Sequence, residues 1–353
     1  MSEYPSLEYQ SPEYQFSKEQ LKDQFSEYQS FESQFSQDQP SEYQLKTPVV
    51  FVIFKRVETT ERVFQAIRQA RPAQLFVIAD GARPDRTGEL EKCIATRAIL
   101  EQVDWDCEVL KDYSAVNLGC GRRLPTGLDW VFSQVESAII LEDDCVPHPS
   151  FFRFCDELLD RYRNDTRITS ISGQNVQMGR SRTADSYYFS RYNHCWGWAT
   201  WKRAWKHFDP SMTLWPEVKQ QNLLHHILQD DSAVRYWTRQ FDQLYRGELT
   251  TVWDYQWTFA CWLQSGLGIL PNVNLISNIG SGLDSTHFVE GSDSFTHLPT
   301  AAIEFPLRHP PFVVRQTEAD AFTHQTLFHQ SILERLQKRL QKQLQKQLAN
   351  TLP

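Results

Sequence analysis

Four short strand-like runs, three of them wholly apolar, separated by stretches of helical spacing, set the tightest limit on what this chain can fold into. Val49-Val50-Phe51-Val52-Ile53-Phe54 is apolar throughout, Leu75-Phe76-Val77-Ile78-Ala79 ends in Asp80-Gly81, a third run covers 107–110, and Ala138-Ile139-Ile140-Leu141 is the fourth. Runs this short, rich in β-branched residues and without polar alternation, predict strands buried on both faces. Between the first two, Thr60, Val63, Phe64, Ile67 and Ala70 recur at helical spacing, and further helices are expected over about 89–103 and 123–136. A β-α-β-α-β-α-β order of this kind makes a mainly parallel sheet with helices on both faces. Neither a Gly-x-Gly-x-x-Gly after the first strand nor a Gly-x-x-x-x-Gly-Lys-Ser/Thr occurs, which disfavours a dinucleotide enzyme or a P-loop NTPase.

The fourth run leads directly into Glu142-Asp143-Asp144. Three adjacent carboxylates at a buried strand end repel one another unless a positive group faces them, and a hard divalent cation with oxygen ligands answers that need. In open α/β sheets ligands gather beyond the carboxyl ends of the strands, where these acids lie. A metal-bound phosphate ester is one reading; the other is that Asp143 and Asp144 cap a helix starting near His148.

Residues 1–47 are a degenerate Ser/Glu/Tyr/Gln repeat with almost no aliphatic residues, so they are expected to form a disordered tail. The rest is rich enough in apolar and aromatic residues to bury a large core. With 36 basic against 44 acidic residues, nothing favours nucleic-acid binding. No apolar run reaches transmembrane length and no signal pattern opens the chain, which suggests a soluble, cytoplasmic protein. The seven cysteines are scattered without a Cys-x-x-Cys, consistent with a reducing compartment.

A helix is expected over about 148–163, after which the sequence turns irregular and aromatic through Tyr187-Tyr188-Phe189 and the tryptophan-rich stretch from Trp196 to Trp205. Tryptophans can stack on sugars or simply pack a second subdomain. Two helical stretches follow, about 217–229 and 231–246, then Val252-Trp253-Asp254-Tyr255-Gln256-Trp257. A lone acid among aromatics is desolvated and so a better base, although Asp254 fits an N-cap or a buried salt bridge as well. A strand over 268–271 precedes a Gly/Ser/Asn loop, 277–282, and Asp284-Ser285-Thr286-His287. Such a loop can wrap a phosphate, and His287 can complete a metal shell or be an ordinary solvated histidine. Leucines at 336, 340, 344 and 348 give the C-terminus an amphipathic helical stripe that drifts around its axis. It can dock on the body or on a second copy in a homo-oligomer, or lie on an anionic membrane as a peripheral contact; its glutamines and lack of Trp favour docking.

Together, residues 48 to about 290 resemble the GT-A fold of nucleotide-sugar glycosyltransferases, most closely the family of the Golgi N-acetylglucosaminyltransferase that starts complex N-glycans. The resemblance rests on Phe54-Lys55-Arg56, Ala79-Asp80-Gly81, the Glu142-Asp143-Asp144 triplet with Pro149-Ser150-Phe151-Phe152 behind it, and Trp253-Asp254 followed by Ile276-Ser277. It implies an α/β domain over 48–310, divided into a nucleotide-sugar half, 48–147, and an aromatic-rich acceptor half, 148–310, with 311–353 as an extension. It further implies that Asp144 binds Mn2+ or Mg2+, that Glu142 and Asp143 contact the ribose and nucleotide, that Asp80 faces the base, and that Arg56 lies near base or diphosphate. Arg122 and Arg123 would help hold the diphosphate, Asp254 would be the catalytic base, and His287 would be a C-terminal metal ligand. The implied activity is metal-dependent inverting transfer of a hexosyl or N-acetylhexosaminyl group, with a UDP-sugar favoured as donor, to an acceptor hydroxyl during glycan or polysaccharide assembly. The alternatives are a non-catalytic carbohydrate-binding or adhesive protein and a sugar nucleotidyltransferase, which usually carries a Gly-rich Arg-Lys loop after the first strand that is absent here.

Overall fold

The structure, a computed structural model, describes residues 43–280 and 295–328; these fall within one compact unit. Its centre is an eight-stranded sheet in the order β3-β2-β1-β4-β8-β6-β9-β7. The first half is the expected alternation: β1 (Val49–Ile53), α1 (Val57–Ala70), β2 (Gln74–Ala79), α2 (Glu89–Ala98), β3 (Glu108–Tyr113), α3 (Cys120–Phe132) and β4 (Ser137–Glu142). These four strands run parallel.

Burial on both faces explains the unbroken apolar runs. Val50, Ile78 and Ile140 pack with Leu124, Leu128 and Val131 of α3 in one cluster, while their neighbours Val49, Phe51 and Ile139, pointing the other way by the pleat, are buried as well. On α1 the buried residues Val63, Phe64 and Ile67 follow the three-and-four spacing of one helical face. Each contributes about 1.5–3 kcal/mol by leaving water.

The second half departs from what spacing suggested. The tryptophan segment expected to be irregular supplies two strands, β7 (Tyr187–Ser190) and β8 (Trp198–Trp201), and β6 (Ile168–Ser172) precedes them. β8 runs antiparallel beside β4, with Ile140 opposite Trp198. β6 is antiparallel to β8 and parallel to β9 (Leu267–Pro271), so the sheet is mixed but mostly parallel. Helix α4 (Ser150–Arg161) covers it, and a short α5 (Lys202–Trp205) follows β8. The expected helix over 217–229 is two pieces, α6 (Trp215–Gln220) and α7 (Leu223–Leu228), because Asn222 turns left-handed at φ 54°. Helix α8 (Asp231–Tyr245) then packs against α9 (Asp254–Leu263), which starts at the Trp253-Asp254 pair.

Trp198, Trp201, Trp205, Trp253 and Trp257 are all buried. Trp198 stacks on Trp253 at 5.5 Å between ring centroids. These rings form the junction between sheet and helices and have no face left for a sugar. Trp196 is the member of the segment that stays partly exposed.

Residues 43–47 pack on the body: Leu45 is buried, and Asp156 on α4 accepts hydrogen bonds from the Tyr43 hydroxyl at 2.9 Å and the Thr47 amide at 3.0 Å. The extension expected from 311 starts inside the fold, because α10 (Thr317–Thr323) places Asp320 against Arg191, with Nε at 3.1 Å, and against the Ser190 hydroxyl. The amphipathic stripe of 336–348, the repeat tail up to Glu42 and His287 lie outside the described residues. Among the described residues no helix is long and apolar enough to cross a membrane.

Candidate active site

Because β1, β2 and β4 are parallel, Phe54-Lys55-Arg56, Asp80-Gly81 and Asp143-Asp144 emerge at the same edge of the sheet. Asp143 and Asp144 form the turn between β4 and the short β5 (Cys145–Pro147), which pairs antiparallel with β10 (Ile276–Asn278). The alternative of a helix cap does not hold, since α4 begins only at Ser150 and strand β5 intervenes.

Arg56 supplies the positive charge that the acid triplet requires. Its Nη2 lies 2.8 Å from Asp143 Oδ1 and its Nη1 2.8 Å from Asp144 Oδ2. The Phe54 amide donates to the other oxygen of Asp143 at 3.2 Å, and the Cys145 thiol donates to Asp144 Oδ1 at 3.4 Å. One guanidinium does not neutralise three carboxylates. Desolvation first, then the charges of Asp144 and Asp143, push Glu142 up to about 8, against the lowering effect of Arg56. Asp143 is raised to about 6, again chiefly by desolvation.

Asp254 reaches the same edge by another route. Two helix N-termini converge there, because residues 250–252 pack so closely on Gly121 of α3 that an added Cβ would sit 2.3 Å from the Thr250 carbonyl oxygen. The Cys120 thiol, first residue of α3, records the result. After desolvation its pKa is raised by the charges of Glu142, Asp254, Asp144 and Asp143 in that order, so all four acids lie within electrostatic range of one thiol. The loop entering β8 closes a third side: Cys195 feels Asp254 and Glu142, and Thr258 on the Asp254 face of α9 bonds to Asn193 at 3.0 Å.

Other expected residues have different work. The Asp80 carboxylate accepts from the amides of Gly81 at 2.9 Å, Leu118 at 2.9 Å and Gly119 at 2.8 Å. It fixes the loop before α3 and has little capacity left to face a base. Arg123 is buried and spends its guanidinium on the Ala79 carbonyl and on Asp112, at 3.1 and 2.8 Å. It joins the ends of β2 and β3 rather than reaching for a diphosphate. Arg122, by contrast, is exposed on the first turn of α3.

The residues missed by sequence reasoning are Cys120, Cys195, Asn193 and Gly280. Gly280 sits against the acids so tightly that a Cβ would fall 2.1 Å from Asp144 Oδ2 and 2.8 Å from Arg56 Nη1. Its place in a Gly/Ser/Asn loop was the available signal; the other three gave none.

The donor chemistry fits a hard cation: carboxylate oxygens, with negative charge in excess. Among the described residues, no group of three or more His, Cys, Asp and Glu side chains is placed to hold a metal ion.

No known protein-family profile matches this sequence, and no curated protein does. Solved structures similar to parts of it include the following two. One is a mannosyltransferase from Pyrobaculum calidifontis in complex with GDP-Man and Mn2+, at 16% identity over 50% of this chain and 51% of that chain, with a TM-score of 0.33. The other is a UDP-glucose pyrophosphorylase complexed with UDP-glucose, at 14% identity over 41% of this chain and 62% of that chain, with a TM-score of 0.23. This chain therefore spans about half of the first structure and three-fifths of the second.

Proposed function

We propose that this chain is a nucleotide-sugar glycosyltransferase of GT-A type that moves a sugar to an acceptor hydroxyl by a single inverting displacement. The observation that supports this reading is the gathering of Asp143-Asp144, Arg56 and Asp254 at the carboxyl edge of the parallel strands, in one electrostatic cluster. In it, Asp144 holds Mn2+ or Mg2+, with Glu142 and Asp143 toward ribose and nucleotide. The exposed Arg122 would contact the diphosphate, and His287, outside the described residues, would be a further metal ligand. A divalent cation, when bound, supplies Lewis-acid neutralisation of the charge that builds on the leaving phosphate.

Asp254 acts as the base. An acceptor hydroxyl is too weakly acidic to attack alone, so a carboxylate within hydrogen-bond reach takes its proton as the new bond to the anomeric carbon forms. The bond from that carbon to the phosphate oxygen breaks with its electron pair staying on oxygen. One base and one leaving group on opposite faces of the sugar invert the configuration without a covalent intermediate. Within this class, motif order favours the N-acetylglucosaminyltransferase type, a UDP-sugar and a hexosyl or N-acetylhexosaminyl group.

A nucleotidyltransferase is disfavoured because only Phe54, Lys55 and Arg56 separate β1 from α1, too short a link for a phosphate-wrapping loop. Calorimetry with UDP and GDP, with and without Mn2+, tests the assignment. We expect metal-dependent binding in the wild type that is lost in Asp144→Ala, and Asp254→Asn that binds donor but loses transfer by about 100-fold or more. Release of pyrophosphate rather than nucleoside diphosphate would move the chain to the nucleotidyltransferases, and full turnover in Asp254→Asn would remove that residue from the mechanism.

A further inference from the structure

The cation's expected ligand is already taken by the protein itself. The Arg56 guanidinium bridges Asp143 Oδ1 and Asp144 Oδ2, both at 2.8 Å, and the backbone of Gly280 is pressed against the same Asp144 oxygen. The other Asp144 oxygen faces the Cys145 thiol. A free divalent ion approaching Asp144 therefore meets a positive charge on one side and packed chain on the other. Like charges this close, away from bulk water, repel strongly.

Arg56 is not fully enclosed. Its side chain keeps 20% of its surface exposed, whereas that of Asp143 keeps 4%. A guanidinium is the side chain best suited to exchange one bidentate oxyanion partner for another, and a diphosphate offers such oxygens. We propose that this site admits its divalent cation only together with a diphosphate: Arg56 occupies the cation's position on Asp143 and Asp144 until phosphate oxygens draw it off. The inference rests on the transferase reading for the identity of the diphosphate, and on the geometry alone for the competition between Arg56 and the cation. The guanidinium offsets part of the acids' charge when paired with them and part of the diphosphate's charge when drawn to it. Linkage makes the coupling reciprocal, so the factor by which the diphosphate strengthens cation binding equals the factor by which the cation strengthens diphosphate binding.

Free Mn2+ measured by electron paramagnetic resonance during titration of the full-length chain tests this without any turnover. In the absence of nucleotide we expect weak binding to wild type and at least tenfold tighter binding to Arg56→Gln. The gain should disappear in Arg56→Gln/Asp144→Ala, and Arg56→Lys, which keeps a positive charge, should stay weak. Equal Mn2+ affinity of wild type and Arg56→Gln, both folded by circular dichroism, overturns the proposal. Should Arg56→Gln not fold, wild type alone decides: Mn2+ affinity must rise at least tenfold when UDP is bound, and an unchanged affinity with UDP bound overturns the proposal. A wild type that binds neither UDP nor GDP defeats the transferase reading instead, while the nucleotide-free comparison still judges Arg56.

Discussion

Gly280 shows how much of the candidate site depends on a missing side chain. A methyl group there would overlap Asp144 Oδ2 at 2.1 Å, so the loop or the ion pair must move. We expect Gly280→Ala to keep the fold, with a cost of about 1–3 kcal/mol as for other overpacked positions. It should weaken Mn2+-dependent nucleotide binding by about tenfold, or ~1.4 kcal/mol. Calorimetry beside a thermal melt separates the two effects, and unchanged binding would show that the loop yields without disturbing Asp144. Asp80 teaches the converse. Its position after β2 was legible in the sequence, but three backbone amides turn it into a loop clamp, a role invisible until the chain before α3 is folded over it.

At the scale of elements, the C-terminal helix α10 is the least expected part of the fold. Asp320 is buried with Arg191, whose guanidinium also donates to the Ile227 carbonyl, and Arg315 lies 3.5 Å from the same carboxylate. Removing the acid leaves a buried guanidinium without its counter-charge. Asp320→Ala should therefore destabilise the protein by about 3–5 kcal/mol, read as a lower urea midpoint, and a midpoint shift under about 1 kcal/mol would mean that Arg191 is rescued by water. The strands β7 and β8 went unread for a related reason. Their residues are aromatic on both faces, and no periodicity distinguishes a buried strand of Tyr and Trp from an irregular aromatic segment.

For the whole molecule, the acid cluster ties stability to pH. Glu142 is raised to about 8 and Asp143 to about 6, from ordinary values of 4.5 and 3.8. The folded protein thus keeps protons that the unfolded chain has shed, and stability is lost as pH rises through the folded values. Buried His194, lowered to about 4 by desolvation, works in the opposite direction below its ordinary value of 6.5. The acid effect is left uncovered between about pH 6.5 and 8.5, where the melting temperature should fall by several degrees. Mn2+ with UDP should flatten that slope by stabilising the ionised acids. Melting temperatures constant across this window without ligand would show that Arg56 neutralises the cluster on its own.

The sequence by itself determined the parallel core, because a strand buried on both faces has to be apolar at every position and a crossover helix has to carry its stripe at fixed spacing. It also marked Glu142-Asp143-Asp144 as a strand end in need of positive charge, and Asp254 as an acid set among aromatics. Only the tertiary structure decided that Arg56 supplies that charge, that Asp254 joins the triplet around Cys120, and that Asp80 and Arg123 hold loops and strand ends together. Those outcomes are set by which groups come within hydrogen-bond reach of a side chain, and partners such as Arg56 and Asp144, 88 residues apart in sequence, leave no periodic trace along the chain.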